Sequence, residues 1–324
     1  MKWLGFLIGL AAMAQIFGAA PASAATPLTI VIFNAPSLGA FLPPVIKAKH
    51  LDEANGLDIS FPERTPDAYA IEFNTGEFEL GGSGAVLTIG LADTRGVKTA
   101  YLFNLFDYWG AVVTQRPDIK TLADLKGKQL AAARGTTNYS MFAWFAQQKG
   151  LSPDSFTVVN TATPGLVGYA LADRADAVQL WEPAYSVLIS KKPTIRTLDL
   201  GIASAWQRFA HTKSIPYLGV AAQQSWIDKH ADLIPPLYHT YKAAAAWVMA
   251  HPAEAAAIIG GAKADDQQRK SLENLIRHNT RLGMNVTPAA ELKTGIEAVY
   301  RAGLAVGALP SMPSDASIYS KDIH

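Results

Sequence analysis

Cysteine is absent from this 324-residue chain. That excludes disulfide scaffolds, thiol nucleophiles, thiolate zinc sites and iron–sulfur clusters together. Charge is scarce and balanced: 28 Lys and Arg stand against 27 Asp and Glu, charged residues are 17% of the chain, and no block of one sign occurs. A nucleic-acid binder concentrates basic side chains on one surface, and nothing here supplies them. The seven histidines (His50, His211, His230, His239, His251, His278 and His324) show no ligand spacing such as i,i+4, so no metal site is expected. What the chain does have is apolar material. At 49% hydrophobic residues it excludes a disordered chain and provides cores for about two domains.

The N-terminus has a separate purpose. Met1-Lys2 is a minimal positive region, Trp3 to Phe17 is almost unbroken apolar sequence, and small residues end in Ala22-Ser23-Ala24. This is the order of a cleavable secretory signal peptide over residues 1–24, with Ala25 the first mature residue. The apolar run falls short of the ~20 residues a spanning helix needs. No Arg-Arg pair marks the segment, and no cysteine offers a lipid anchor, so an exported, unanchored, periplasmic protein is expected.

Along the mature chain, strand-like and helix-like segments alternate. Leu28–Phe33 and Leu57–Phe61 read as strands, with helices after Pro43 and after Thr65-Pro66. Phe78–Leu80 then runs into Gly81-Gly82-Ser83-Gly84 and the apolar helix 85–92, and Val97–Phe106 is extended. A second α/β unit starts at Trp109 and carries the loop Gly135-Thr136-Thr137-Asn138 before a helix. Beyond Tyr217 only Leu218–Ala222 looks extended, and about four helices follow, 267–282 and 288–306 among them. The pattern predicts an α/β protein with mainly parallel sheets. Two lobes are expected, residues 25–108 with 217–324 forming the first and 109–216 inserted as the second. Two crossings, near Phe106–Val112 and Ser214–Gly219, would join them.

Three segments carry a family resemblance. Gly76-Glu77-Phe78-Glu79 precedes an apolar helix, Leu122-Ala-Asp-Leu-Lys-Gly-Lys128 forms a turn, and Ala170-Leu-Ala-Asp-Arg-Ala-Asp-Ala177 leads to Trp181-Glu182-Pro183. In this order they resemble the nitrate/sulfonate/taurine branch of the substrate-binding proteins of ABC importers. Glu79 and Arg174-Ala175 depart from the usual pattern. The resemblance spans most of the mature chain. It implies a type II periplasmic-binding-protein fold, with two α/β lobes joined by two crossover strands. It also implies a monomer that takes a small solute from the periplasm to a membrane permease, with no chemical step and no cofactor.

A cleft between such lobes places strand ends and helix N-termini around the ligand. Exposed helix N-termini offer unpaired N–H groups and partial positive charge, suited to a sulfonate or carboxylate. The candidate polar groups are Asn34 and Ser37 after the first strand, Ser83 in the glycine-rich loop, and Thr136, Thr137 and Asn138 in the second lobe. Each could equally be an ordinary helix cap. Tyr108, Trp109 and Trp181 are the candidate walls, with core packing the plainer role. Glu182 would either read a donor on the solute, which keeps a zwitterion or a pyrimidine-like nitrogen heterocycle open, or begin the helix after Pro183.

One enzymatic alternative comes from the residues themselves. Gly81-Gly82-Ser83-Gly84-Ala85 approximates the nucleophile elbow of a serine hydrolase, with Ala85 in place of its last glycine. A sensory module sharing the same lobes is a third reading.

Overall fold

The computed structural model describes residues 25–324 apart from Lys263; the expected signal peptide lies outside the described residues. The chain opens with β1 (Thr26–Thr29), β2 (Ile32–Phe33), α1 (Pro43–Ala48), β3 (Leu57–Ser60), β4 (Glu63–Arg64), α2 (Pro66–Thr75), β5 (Leu80–Ala85), α3 (Val86–Thr94) and β6 (Thr99–Asp107). There follow β7 (Ala111–Thr114), β8 (Gln129–Ala132), α4 (Thr137–Gln148), β9 (Thr157–Asn160), α5 (Leu166–Leu171), β10 (Ala177–Leu180), α6 (Ala184–Lys191), β11 (Arg196–Leu198) and α7 (Ile202–Ala210). The last third is β12 (Pro216–Gln223), α8 (Gln224–His230), α9 (Ile234–Ala250), α10 (Pro252–Gly260), α11 (Asp266–Arg277), α12 (Asn279–Leu282), β13 (Met284–Pro288) and α13 (Lys293–Ala305).

Two sheets result. One has the order β13-β6-β12-β5, and the parallel pairs β1-β3 and β2-β4 extend it through the bridge between Val31 and Gly81. The other has the order β11-β7-β10-β8-β9. This is the α/β, two-lobed arrangement that the sequence resemblance implies. The chain leaves the first sheet after Asp107 and re-enters it at Pro216. There the Tyr108 N–H donates to the Ile215 carbonyl at 2.7 Å, so the two crossings lie side by side. The lobes also share a core. Met141, Trp144 and Phe145 of α4 and Trp206 of α7 belong to the same buried cluster as the first sheet.

Several expectations need correction. The sheets are mixed rather than mainly parallel: β12 runs antiparallel to both β5 and β6, and β7 antiparallel to β10 and β11. A chain that leaves by the end of β6 and returns beside it must enter the sheet from that end, which reverses β12. Gly82-Ser83-Gly84 is not a loop but part of the fully buried β5, and α3 starts only at Val86. The helical tail contains a strand, β13, paired with β6, and the helix expected over 288–306 begins at Lys293. The helix expected over 267–282 is two, broken at His278.

Candidate functional site

Between the two sheets lies a cavity of about 120 Å³. The first lobe contributes Phe33, Ser37, Tyr69 and Ser83, the second Gly135, Thr136, Thr137, Thr163, Trp181 and Glu182, and the returning strand Tyr217. Each position has a local cause. Ser37 stands before a single 3-10 turn, and its hydroxyl accepts from the Ala40 N–H at 3.2 Å. Thr136 is the N-cap of α4. Its hydroxyl accepts from the Tyr139 N–H at 3.1 Å and donates to the Ala133 carbonyl at 2.8 Å. Both hydroxyls are therefore caps first, the plainer of their two roles.

Thr137 differs. It is only 6% exposed, it lines the cavity, and among the described residues its hydroxyl has no partner. A buried polar atom without a partner is costly, so a group that supplies one gains affinity there. The first-turn N–H groups of α4 add partial positive charge at the same place.

Ser83 is fully buried in β5. Its hydroxyl accepts from the Phe33 N–H at 2.9 Å, and its own N–H donates to the Tyr69 hydroxyl at 3.3 Å. Burial raises the pKa of Tyr69 and of Tyr217, so both are neutral phenols. Glu182 is 1% exposed and has three protein donors: the Ser186 N–H at 3.1 Å, the Ser186 hydroxyl at 2.9 Å and Arg281 Nε at 3.0 Å. Burial raises its pKa, and those donors oppose the rise.

The remaining sequence candidates stand outside this cavity. The Asn34 N–H donates to the Arg64 carbonyl, and its side chain does not line the cavity. Asn138 is buried, and its Nδ2 donates to the Tyr217 hydroxyl. Tyr108 stacks on Phe145 with ring centroids 5.6 Å apart, and Trp109 meets Tyr185 edge-on at 4.9 Å. Both aromatics line a different hollow, a groove of about 930 Å³ beside the crossings. Side chains at a crossing belong to neither sheet, so strand alternation does not set their direction. Among the described residues no group of His, Asp and Glu is arranged to hold a metal ion.

The sequence matches the family model described as NMT1/THI5 like over residues 50–255, more than half of the chain. The chain belongs to the NMT1/THI5-like family. No curated protein matches the sequence. Among solved structures, this family member is similar to the aliphatic sulphonate binding protein SsuA of Escherichia coli. The TM-score is 0.70 at 17% identity, over 92% of each chain. The alkanesulfonate-binding SsuA of Xanthomonas axonopodis pv. citri, bound to MOPS, gives 0.73 at 16% identity, over 93% of this chain and 99% of that one. A Candida albicans gene product with the generic periplasmic binding protein fold gives 0.64 at 16%, over 90% and 92%. At these identities the likeness shows the fold.

Sequence reasoning did not single out Phe33, Tyr69, Thr163 or Tyr217 in the NMT1/THI5-like chain. Tyr217 had a usable signal, since it falls in the expected second crossing. Tyr69 had none: on α2 it reads as an ordinary core aromatic, and only its contact with Ser83 draws it to the site.

Proposed function

We propose that this NMT1/THI5-like protein is the solute-binding component of an ABC importer, closing two lobes on a small organic solute. Residues 1–24 would direct its export and be removed, and the mature monomer would work in the periplasm. The lobes are residues 25–108 with 217–324, and 109–216, and the adjacent crossings absorb the rotation. The observation that carries the reading is Thr137, at the N-terminus of α4, which lines a cavity walled by both lobes and whose buried hydroxyl has no partner among the described residues. The sulfonate-binding relatives on the same fold favour a solute with an anionic head and an apolar body. Trp181, Phe33 and Tyr217 suit that body, and Ser37, Thr136 and Thr137 surround the head. Glu182 is occupied by Ser186 and Arg281, which weighs against a solute amine as its main partner.

The hydrolase reading finds less support. The Ser83 hydroxyl is enclosed and already bonded, and among the described residues no histidine lines the cavity. A fluorophosphonate probe should leave Ser83 unlabelled.

The experiment is a thermal-shift screen of the Ala25–His324 protein against sulfonates, carboxylates, amino acids and nitrogen heterocycles. A ligand at about a hundred times its dissociation constant adds roughly 2.7 kcal/mol of stability. One class should shift the protein strongly. Labelling of Ser83 with no shift by any class would overturn the binding reading.

A further inference from the structure

The cavity has an electrostatic peculiarity. Among the described residues that line it there is no lysine or arginine, while two carboxylates are present, Asp67 exposed at the rim and Glu182 buried. The cation that pairs with Glu182 comes from the far end of the chain. Arg281 of α12 stands 99 positions after Glu182 and donates to its Oε1 at 3.0 Å, with the Arg281 side chain 40% exposed and that of Glu182 1%.

The placement of Arg281 is built rather than incidental. Asn279 clamps the turn that carries it: its Nδ2 donates to the Met284 carbonyl at 3.0 Å and its Oδ1 accepts from the Met284 N–H at 2.8 Å. Gly283 closes that turn at φ 64, and a Cβ there would sit 2.6 Å from the Asp107 carbonyl oxygen, so no other residue fits. The guanidinium lies 5.4 Å from the Tyr185 ring, whose other neighbour is Trp109. Alongside, α11 packs on α6 through Gln267 Nε2, which donates to the Ser190 carbonyl at 2.6 Å, and Ser271 Oγ, which donates to that of Ser186 at 3.3 Å. The C-terminal tail is thus fastened to the helix that follows the cavity wall.

We propose that Arg281 sets the charge of the solute cavity from outside it, an inference that rests on reading this cavity as the solute site. With the pair in place, the Arg281 guanidinium offsets the Glu182 carboxylate, and the positive end of α4 is left as the main field on a solute head. Without Arg281, the carboxylate keeps only its Ser186 donors, and its unbalanced negative charge disfavours an anion in the cavity. Arg281 is a positioning and selectivity residue, not a solute contact.

Two readouts test this on the mature protein, one of them independent of any solute. Carbon-13 NMR of labelled glutamate, with Glu182 assigned from the Glu182→Gln spectrum, follows its titration. The ionisable groups around it are Arg281, Asp67 at the cavity rim, the Tyr185 phenol, and Tyr69 and Tyr217, which burial keeps neutral. Arg281→Met should raise the Glu182 midpoint by about one unit or more, and Arg281→Lys should keep it close to wild type. An unmoved midpoint in Arg281→Met overturns the proposal.

The second readout is calorimetric, with butanesulfonate and butylammonium as matched probes. Arg281→Met should shift the sulfonate-to-ammonium affinity ratio towards ammonium by about tenfold or more, and Glu182→Gln/Arg281→Met should restore it. An unchanged ratio overturns the proposal. If wild type binds neither probe while the midpoint still moves, the charge-setting role stands and the anion-site reading falls.

Discussion

Asp107 accepts a hydrogen bond from the Ser214 hydroxyl at 2.9 Å, tying the first crossing between the lobes to the second. The same carboxylate accepts from Asn104 Nδ2 at 3.1 Å and from Asn285 Nδ2 at 3.2 Å, so strand β13 joins the knot. No cation pairs with it among the described residues. Burial pushes its pKa up to about 6, against the partial relief of Ser214 and Asn285.

A pH dependence follows. Because the folded-state pKa lies above the unfolded one, the folded protein holds more protons between roughly pH 4 and 6, and the contribution of this group to stability falls as pH rises through that window. Between the ordinary aspartate value of 3.8 and about 6 the difference is on the order of 3 kcal/mol. Asp107→Asn cannot titrate. In urea denaturation from pH 4 to 7.5, the stability of wild type relative to Asp107→Asn should rise as pH falls. Parallel curves would show that Asp107 does not titrate at the hinge.

The Tyr217 hydroxyl, on the returning strand, receives Nδ2 of Asn138 from the second lobe. Tyr217→Phe keeps the ring packed on Tyr108 and leaves the buried amide without its acceptor. Stability should fall by about 1–3 kcal/mol, read from urea midpoints. No loss would mean that Asn138 finds another partner.

Gly219, where β12 lies between β5 and β6, has no room for a side chain. A Cβ there would stand 2.2 Å from the backbone oxygen of Phe103 and 2.4 Å from the Tyr101 hydroxyl. Backbone cannot yield as a flexible side chain can, so Gly219→Ala should destabilise by about 1–3 kcal/mol or more, seen as a lower melting temperature.

The legible and illegible parts of this molecule divide on physical lines. The two crossings, the α4 loop and the Trp181-Glu182 corner are marked by local sequence: apolar runs ending in polar or glycine-rich turns. Strand β13 was hidden because Met284–Pro288 is short, only partly buried and follows directly on helices. Tyr108 and Trp109 were expected at the cavity. Their identity was informative, but their direction depends on how the crossing turns between two sheets, which no local periodicity encodes. The caps at Ser37 and Thr136 could be foreseen as caps or as ligand groups, and only the free hydroxyl of Thr137 separates the two roles. The Arg281–Glu182 pair joins residues too distant in sequence for any spacing argument.

Thr137→Val tests the site without disturbing the fold. It removes the orphaned hydroxyl and keeps the β-branched shape, so stability without solute should stay level or rise slightly. A lowered melting temperature would show that the hydroxyl has a structural partner.

The most direct measurement is a calorimetric titration of the mature protein with the solute class found by the thermal screen, set beside Thr137→Val. Saturable one-to-one binding in wild type, weakened by about tenfold in Thr137→Val, is the predicted result. Binding of equal strength in the variant would contradict it and place the solute elsewhere.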